Sequence, residues 1–97
     1  MGAKNSTRYW KIQGWDSFTM LFEHRVKVGQ ITENKMKDVL RTLTAKLALN
    51  EEEIISCYAK KGTKIYSDYL VVQNLNGNKY TLSCGTNPYV IAVLEVE

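Results

Sequence analysis

The sequence predicts an α+β domain in which one antiparallel sheet of five strands carries two helices on one face. Three observations support this prediction. Residues 18–28 alternate between apolar and polar side chains, and residues 32–47 repeat apolar side chains at helical spacing. The dipeptide Asn76-Gly77 is typical of a β-hairpin turn. The predicted order of elements is therefore ββααβββ.

Length and composition indicate a single globular domain. The chain has 97 residues, of which 44% are apolar and 24% charged, and these values exclude a disordered chain. We expect residues 1–7 to be a flexible tail and residues 8–97 to be the domain. The 13 Lys and Arg residues outnumber the 10 Asp and Glu residues, and the net charge of +3 is too small to indicate a polyanionic partner.

The first two strands are predicted to form a hairpin. Residues 9–13 are rich in residues that favour strands, and the Gly, Asp and Ser within residues 14–17 favour a turn. In the second strand, residues 18–28, the even positions are mainly apolar and the odd positions mainly polar. We therefore expect the even positions to be buried and the odd ones, which include Leu21 and Arg25, to lie on an open face.

Two helices are predicted next. The first extends from about Thr32, whose hydroxyl can cap it, to about Leu47, because apolar side chains recur at offsets of three and four. The second begins after Asn50, where Glu53 at the third helical position completes a capping box. It ends at Gly62, with two lysines in its last turn.

The last third of the chain is predicted to be β-structure. A type I′ turn at Asn76-Gly77 sets the register of the strands that flank it, and residues 89–96 form the fifth strand. In this register Val71 lies opposite Leu82, and we assign the more apolar face that they share to the helices. The residues predicted on the opposite, open face are Leu70, Val72, Thr81 and Ser83.

The sequence contains few residues for catalysis or metal binding. His24 is the single histidine, and we interpret it as a part-buried, hydrogen-bonded residue of the second strand. Its candidate partner is Cys84, but the neighbouring sequence offers neither a helix N-terminus nor a cation to lower the pKa of that thiol. Cys57 is predicted to be a core residue, and no two of these three side chains have the short spacing of metal ligands. We therefore expect no cofactor and no metal.

A basic segment, Lys60-Lys61-Gly62-Thr63-Lys64, follows the second helix. It lacks the glycine and lysine spacing of a phosphate-binding loop, and it follows a helix instead of preceding one. The simpler interpretation is that its lysines complement the negative end of the helix dipole. As the densest cluster of positive charge in the chain, it is also the best candidate for contact with an anion.

Three classes of function remain open at this point. The leading hypothesis is a non-catalytic interaction module whose open sheet face or free edge binds a protein or a second copy of the chain. The alternative is a nucleic-acid-binding domain, because several of the six Tyr and two Trp residues lie beside basic residues and can stack on bases. The third hypothesis is a small enzyme centred on His24.

The candidate binding residues follow from the face assignment and from the basic segment. Leu21, Leu70 and Val72 form an apolar patch on the open face if their strands are neighbours, and such a patch is typical of an interface. The full set of candidate binding residues is Leu21, Arg25, Leu70, Val72, Lys60, Lys61 and Lys64.

The sequence also predicts a location in the cell. The N-terminal residues are polar, and no apolar run approaches the ~20 residues that span a bilayer. Two widely spaced cysteines do not suggest a disulfide framework. We expect a cytoplasmic protein with reduced thiols and no membrane contact.

Overall fold

The computed structural model describes residues 8–75 and 77–96, and it has the predicted α+β fold. Five antiparallel strands form one sheet, and two helices lie in the connection between the second and third strands, so the order ββααβββ is confirmed. The predicted tail, residues 1–7, lies outside the described residues. The elements are β1 (Arg8–Asp16), β2 (Thr19–Lys27), α1 (Glu33–Ala48), α2 (Glu51–Cys57), β3 (Val72–Leu75), β4 (Thr81–Gly85) and β5 (Tyr89–Val96).

The strand order across the sheet is β2-β1-β5-β4-β3. The first hairpin therefore occupies one side of the sheet, and β3 and β4 occupy the other, with β5 between them. Since β2 and β3 are the two edges, the helical connection carries the chain from one edge to the other.

Helix α1 packs on β3, β4 and β5 and forms the core with them. Its residues Met36, Leu40 and Thr44 are buried, which follows from their spacing of four along one helix face. Thr32 caps the helix as predicted, accepting a hydrogen bond from the Lys35 N–H at 3.2 Å. The buried apolar residues that form the core are Trp10, Ile12, Met36, Leu40, Leu70, Leu82, Cys84, Val90 and Ala92.

The second helix begins as predicted but ends earlier. Asn50 and Glu53 form the complete capping box, with hydrogen bonds of 2.9 and 3.0 Å. The helix stops at Cys57, because the Tyr58 N–H turns back to the carbonyl of Ile55 in a tighter turn. The lysines that follow therefore lie in a loop, and the prediction that they occupy the last helical turn is wrong.

The register predicted for the third and fourth strands is also wrong. Leu82 pairs with Asn74 and not with Val71, a shift of three residues. An odd shift exchanges the two faces of a strand. Leu70 thereby turns towards α1 and joins the core, 6% exposed, and Val72 packs against that core. Burial of Leu70 under the helix decides the register against the local turn signal at Asn76, a residue outside the described ones.

The turn of the first hairpin lies further along the chain than predicted. β1 continues through Gly14 to Asp16, and Asp16 pairs with Thr19 across a two-residue turn. Gly14 lies within the strand opposite Phe22, and the absence of a side chain leaves room for the Phe22 ring, since a Cβ atom there would lie 2.4 Å from it. Phe18, predicted in the buried set, lies in the turn and is 97% exposed.

None of the helices in the described part of the chain combines the length and apolar character needed to cross a bilayer.

Candidate functional site at the edge strand

Strand β2 is the least covered element of the sheet. Seven of its nine residues are exposed, and only Phe22 and Val26 are half-buried. Phe22, His24 and Val26 share the helix side with Trp10 and Ile12 of β1, whereas a register shift after Gly14 pairs Met20 with Trp15 on the other face. The prediction that the even positions are buried is wrong for Met20, His24 and Val28, which are exposed. For His24 the reason is tertiary, since α1 packs on β3, β4 and β5 and neither described helix packs extensively on β2.

The flank of α1 carries a second, partly apolar surface. Val39 and Leu43 are half-buried there and line, with Ile31, an open cleft of about 570 Å³. Four partly buried side chains pack against the core from these two places, Phe22 and Val26 from β2 and Val39 and Leu43 from α1. On the helix side of the first hairpin, Phe22 and Val26 of β2 are therefore half-exposed, whereas Trp10 and Ile12 of β1 are buried.

At the edge of the sheet, part of the main chain of β2 has no hydrogen-bond partner among the described residues. The Val28 N–H donates to the Arg8 carbonyl at 3.0 Å, which fixes the phase of the β1–β2 ladder. In an antiparallel pair the hydrogen-bonded positions alternate. The even residues of β2 therefore direct their N–H and C=O groups towards β1, and Glu23 and Arg25 direct theirs away from the sheet.

On the sheet face away from the helices, β2 carries two side chains of opposite charge, Glu23 and Arg25. The guanidinium of Arg25 lies 3.6 Å from the Glu23 carboxylate and 5.1 Å from the centroid of the Tyr9 ring. The side chain of Gln13 donates to the same Glu23 carboxylate at 2.7 Å. Neighbours on β1 thus hold both charged groups in place along the edge.

His24 lies between these two residues on the helix side, where its ring centroid is 5.8 Å from that of Phe22. It is exposed, so the predicted part-burial is wrong. Cys84 is buried on β4, and three strand spacings, about 14 Å, separate the two positions. Burial also raises the pKa of the Cys84 thiol, which opposes formation of a thiolate. The two residues therefore do not form a catalytic pair.

The face of the sheet opposite the helices has a polar network at its centre. Glu95 of β5 accepts from Lys79 at 2.6 Å and lies 3.1 Å from the Lys11 ammonium. Hydrogen bonds from these two lysines hold the pKa of the Glu95 carboxyl below its usual range. Three half-buried aromatic side chains, Tyr9, Trp15 and Tyr89, share this face.

The predicted grouping of Leu21 with Leu70 and Val72 is wrong. Leu21 lies on β2, whereas the other two belong to the β3 end of the sheet, with three strands between them. Leu70 and Val72 also face α1 and not the open side. Leu21 itself has no partner on β1, because Gly14 pairs with Phe22 and Trp15 with Met20, and it is the extra residue of a β-bulge.

The basic segment lies away from Arg25, next to the opposite edge strand. Lys60, Lys61 and Lys64 are all exposed in the loop between α2 and β3. Lys61 lines a cleft of about 300 Å³ together with Arg41 and Tyr66. Arg41 is already engaged by Asp38 and by the carbonyl of Leu70. Contact of this loop with an anion stays a prediction.

Two features of the edge are not predicted from the sequence. The alternation predicts that Phe22 and Val26 are buried, and it does not single out Glu23 as a binding residue. A signal for them exists in the sequence, since Glu23 and Arg25 on the one side and Phe22 and Val26 on the other are placed symmetrically about His24. This symmetric placement is relevant to binding only because β2 is an edge strand, and the sequence alone does not show that.

Comparison of the chain with models of protein families, with curated proteins and with solved structures finds no significant similarity.

Proposed function

We propose that this protein is a non-catalytic binding module that accepts an extended strand of another polypeptide chain along β2. One observation carries the proposal: a nine-residue edge strand directs the main-chain groups of Glu23 and Arg25 away from the sheet. An open strand edge is a template for pairing with another chain. In this mode of recognition, main-chain hydrogen bonds supply affinity and alternate side chains supply specificity.

The side chains around the edge suit such a partner. An added strand would place apolar side chains beside Phe22 and Val26 and polar ones beside Glu23 and Arg25. The bulge at Leu21 ends the regular part of β2, so the added strand is expected against residues 22–27. The opposite edge strand, β3, has only four residues and offers a shorter template.

Amide exchange tests this proposal directly. The probe is a synthetic peptide with the sequence of β2, Thr19–Lys27, added to the protein while NMR follows exchange at each amide. Pairing is expected to slow exchange of the Glu23 and Arg25 amides at least about tenfold, because they acquire acceptors. The His24 amide, which already faces β1, is expected to change little.

A proline variant supplies the control. Arg25→Pro removes an N–H that faces away from the sheet, which edge strands tolerate, and so it blocks pairing without removing a β1–β2 hydrogen bond. Arg25→Ala removes the same side chain and keeps the N–H, so it is expected to retain protection by the peptide. A peptide that binds the proline variant as well as the wild type, or that leaves the Glu23 and Arg25 amides unprotected, would contradict the proposal.

A second function is favoured by a different observation, the three aromatic side chains on the outer face of the sheet. Tyr9, Trp15 and Tyr89 share that face with Lys11 and Arg25, and such faces stack unpaired bases of single-stranded nucleic acid. Lys11 and Arg25 each already contact a carboxylate, so they are less available to bind phosphate groups.

Titration with an oligothymidine or oligouridine strand separates the two functions. Quenching of Trp fluorescence that falls steeply with added salt would favour nucleic-acid binding. If the protein binds only extended strands along β2, neither oligonucleotide is expected to change its Trp fluorescence.

A further inference from the structure

Building on the proposed function, we infer that the strand accepted by β2 is the β2 strand of a second copy of this chain, so that the protein forms a symmetric dimer. In this dimer the two β2 strands run antiparallel about a two-fold axis at His24, and the two sheets join into one. The inference rests on the phase of the main-chain groups, on the charges along the edge and on the apolar side chains of the uncovered face.

Two-fold symmetry restricts the possible registers. When identical antiparallel strands pair about an axis normal to the sheet, one residue lies opposite its own copy. Centring on Glu23 would place two carboxylates opposite each other, and centring on Arg25 would oppose two guanidinium groups. Centring on His24 places Glu23 of each chain opposite Arg25 of the other. Charge complementarity therefore selects the register centred on His24.

The main-chain phase fits the same register. Glu23 and Arg25 direct their N–H and C=O groups outward, so each Glu23–Arg25 pair across the axis exchanges two hydrogen bonds. The two pairs together supply four bonds at the centre of the interface. In the single chain no described residue pairs with these groups, and the dimer satisfies them without any change in β2.

The helix side of β2 is complementary to itself in this register. Phe22 of one chain lies opposite Val26 of the other, and aromatic residues pair favourably with β-branched residues across strands. Both side chains are half-exposed in the single chain. Pairing removes more of their surface from water, on the side of the sheet that α1 leaves uncovered.

The axis places the two His24 residues opposite each other. They form a pair without main-chain hydrogen bonds, the closer kind, with Cα atoms about 4.5 Å apart. On this side β1 presents Trp10, Ile12 and Gly14, which carry no charge, so a charge introduced at position 24 would face its own copy. Two like charges at this distance repel.

Charge variants test the register. Sedimentation of the full chain at pH 7.5 is expected to show a dimer. Glu23→Arg places two pairs of like charges across the axis, Arg25→Glu does the same, and each is expected to weaken dimerisation about tenfold or more. The double exchange, Glu23→Arg with Arg25→Glu, restores opposite charges in both pairs and is expected to restore the dimer. An equimolar mixture of the two single variants is expected to form a heterodimer.

A fixed charge at position 24 tests the position of the axis. His24→Lys places two ammonium groups opposite each other and is expected to weaken dimerisation about tenfold or more, whereas the uncharged His24→Gln is expected to keep the dimer at pH 7.5. A His24→Lys chain that dimerises as strongly as the wild type would overturn the axis at His24. Circular dichroism of each variant checks that the fold is retained.

The outcomes distinguish this inference from the function on which it rests. A wild-type chain that sediments as a monomer at about 1 mM overturns the dimer, as does a dimer unaffected by the single charge exchanges. If the β2 peptide still protects the Glu23 and Arg25 amides in that case, strand addition at β2 stands and its partner is another chain. If the β2 peptide does not protect these two amides, both the dimer and strand addition at β2 are contradicted.

Discussion

The two halves of the sheet differ in what covers them. On β3, β4 and β5, helix α1 completes a two-layer core in which Leu40, Leu82 and Val90 are fully buried. On the first hairpin neither of the described helices packs extensively on β2, and Phe22 and Val26 stay half-exposed on the same side of the same sheet. Apolar strand residues therefore stabilise the core in the half that α1 covers. In the uncovered half, in our proposal, they bind a partner strand.

Truncation of an apolar side chain in each half is expected to give the largest contrast. Leu40→Ala removes a fully buried side chain beneath the covered half and is expected to cost about 2 to 5 kcal/mol of unfolding free energy. Val26→Ala in the uncovered half is expected to cost about 1 kcal/mol, since that side chain is half-buried. Denaturant unfolding measures both. Equal losses would mean that β2 is packed as tightly as the core.

Two glycines provide a second contrast. Gly85 has φ +89° and leaves no room for a Cβ atom, which would lie 2.9 Å from the Pro88 carbonyl and from Thr44, so Gly85→Ala is expected to cost at least about 2 kcal/mol. Gly14→Ala meets only the ring of Phe22, which can swing towards solvent, and is expected to cost about 1 kcal/mol. Thermal unfolding in which Gly14→Ala is the more damaging variant would show that Phe22 is firmly held.

Glu95 links the two halves, since Lys11 belongs to β1 and Lys79 precedes β4. Its lowered pKa adds stability that is present above the pKa of an unfolded glutamate, about 4.3, and is lost as the pH falls through the lower folded value. Glu95→Gln is therefore expected to lower stability slightly at pH 7 and to flatten the decline below pH 4.3. Unfolding curves from pH 2 to pH 7 measure the effect, and parallel declines in the two proteins would contradict it.

The smallest effect is expected at the tip of the first hairpin. Phe18 is 97% exposed, so Phe18→Ser is expected to change stability by no more than about 0.5 kcal/mol. The adjacent turn is held independently of this ring, because the Ser17 N–H donates to the Asn87 side chain at 2.8 Å. A larger loss in chemical denaturation would mean that the ring packs on the protein in solution.

Much of the fold was predictable because its signals are local. The capping residues Thr32 and Asn50 act on their own first turns, and the helical and strand periodicities are read within single segments. The correct element order follows from these signals. The site was less predictable, since of the predicted residues Leu21 and Arg25 lie on β2, whereas Leu70 and Val72 face the core at the other end of the sheet.

The sequence by itself determined the class of the fold, the number and order of its elements and the caps of both helices. Only the tertiary structure decided which strands are edges, which half of the sheet α1 covers and which face Leu70 occupies. Strand order depends on contacts between residues far apart in the chain, and the register of β3 depends on burial beneath α1 that outweighs the local turn signal at Asn76-Gly77. Periodicity specifies that a strand has two faces, but the free energy of burial decides which face turns inward.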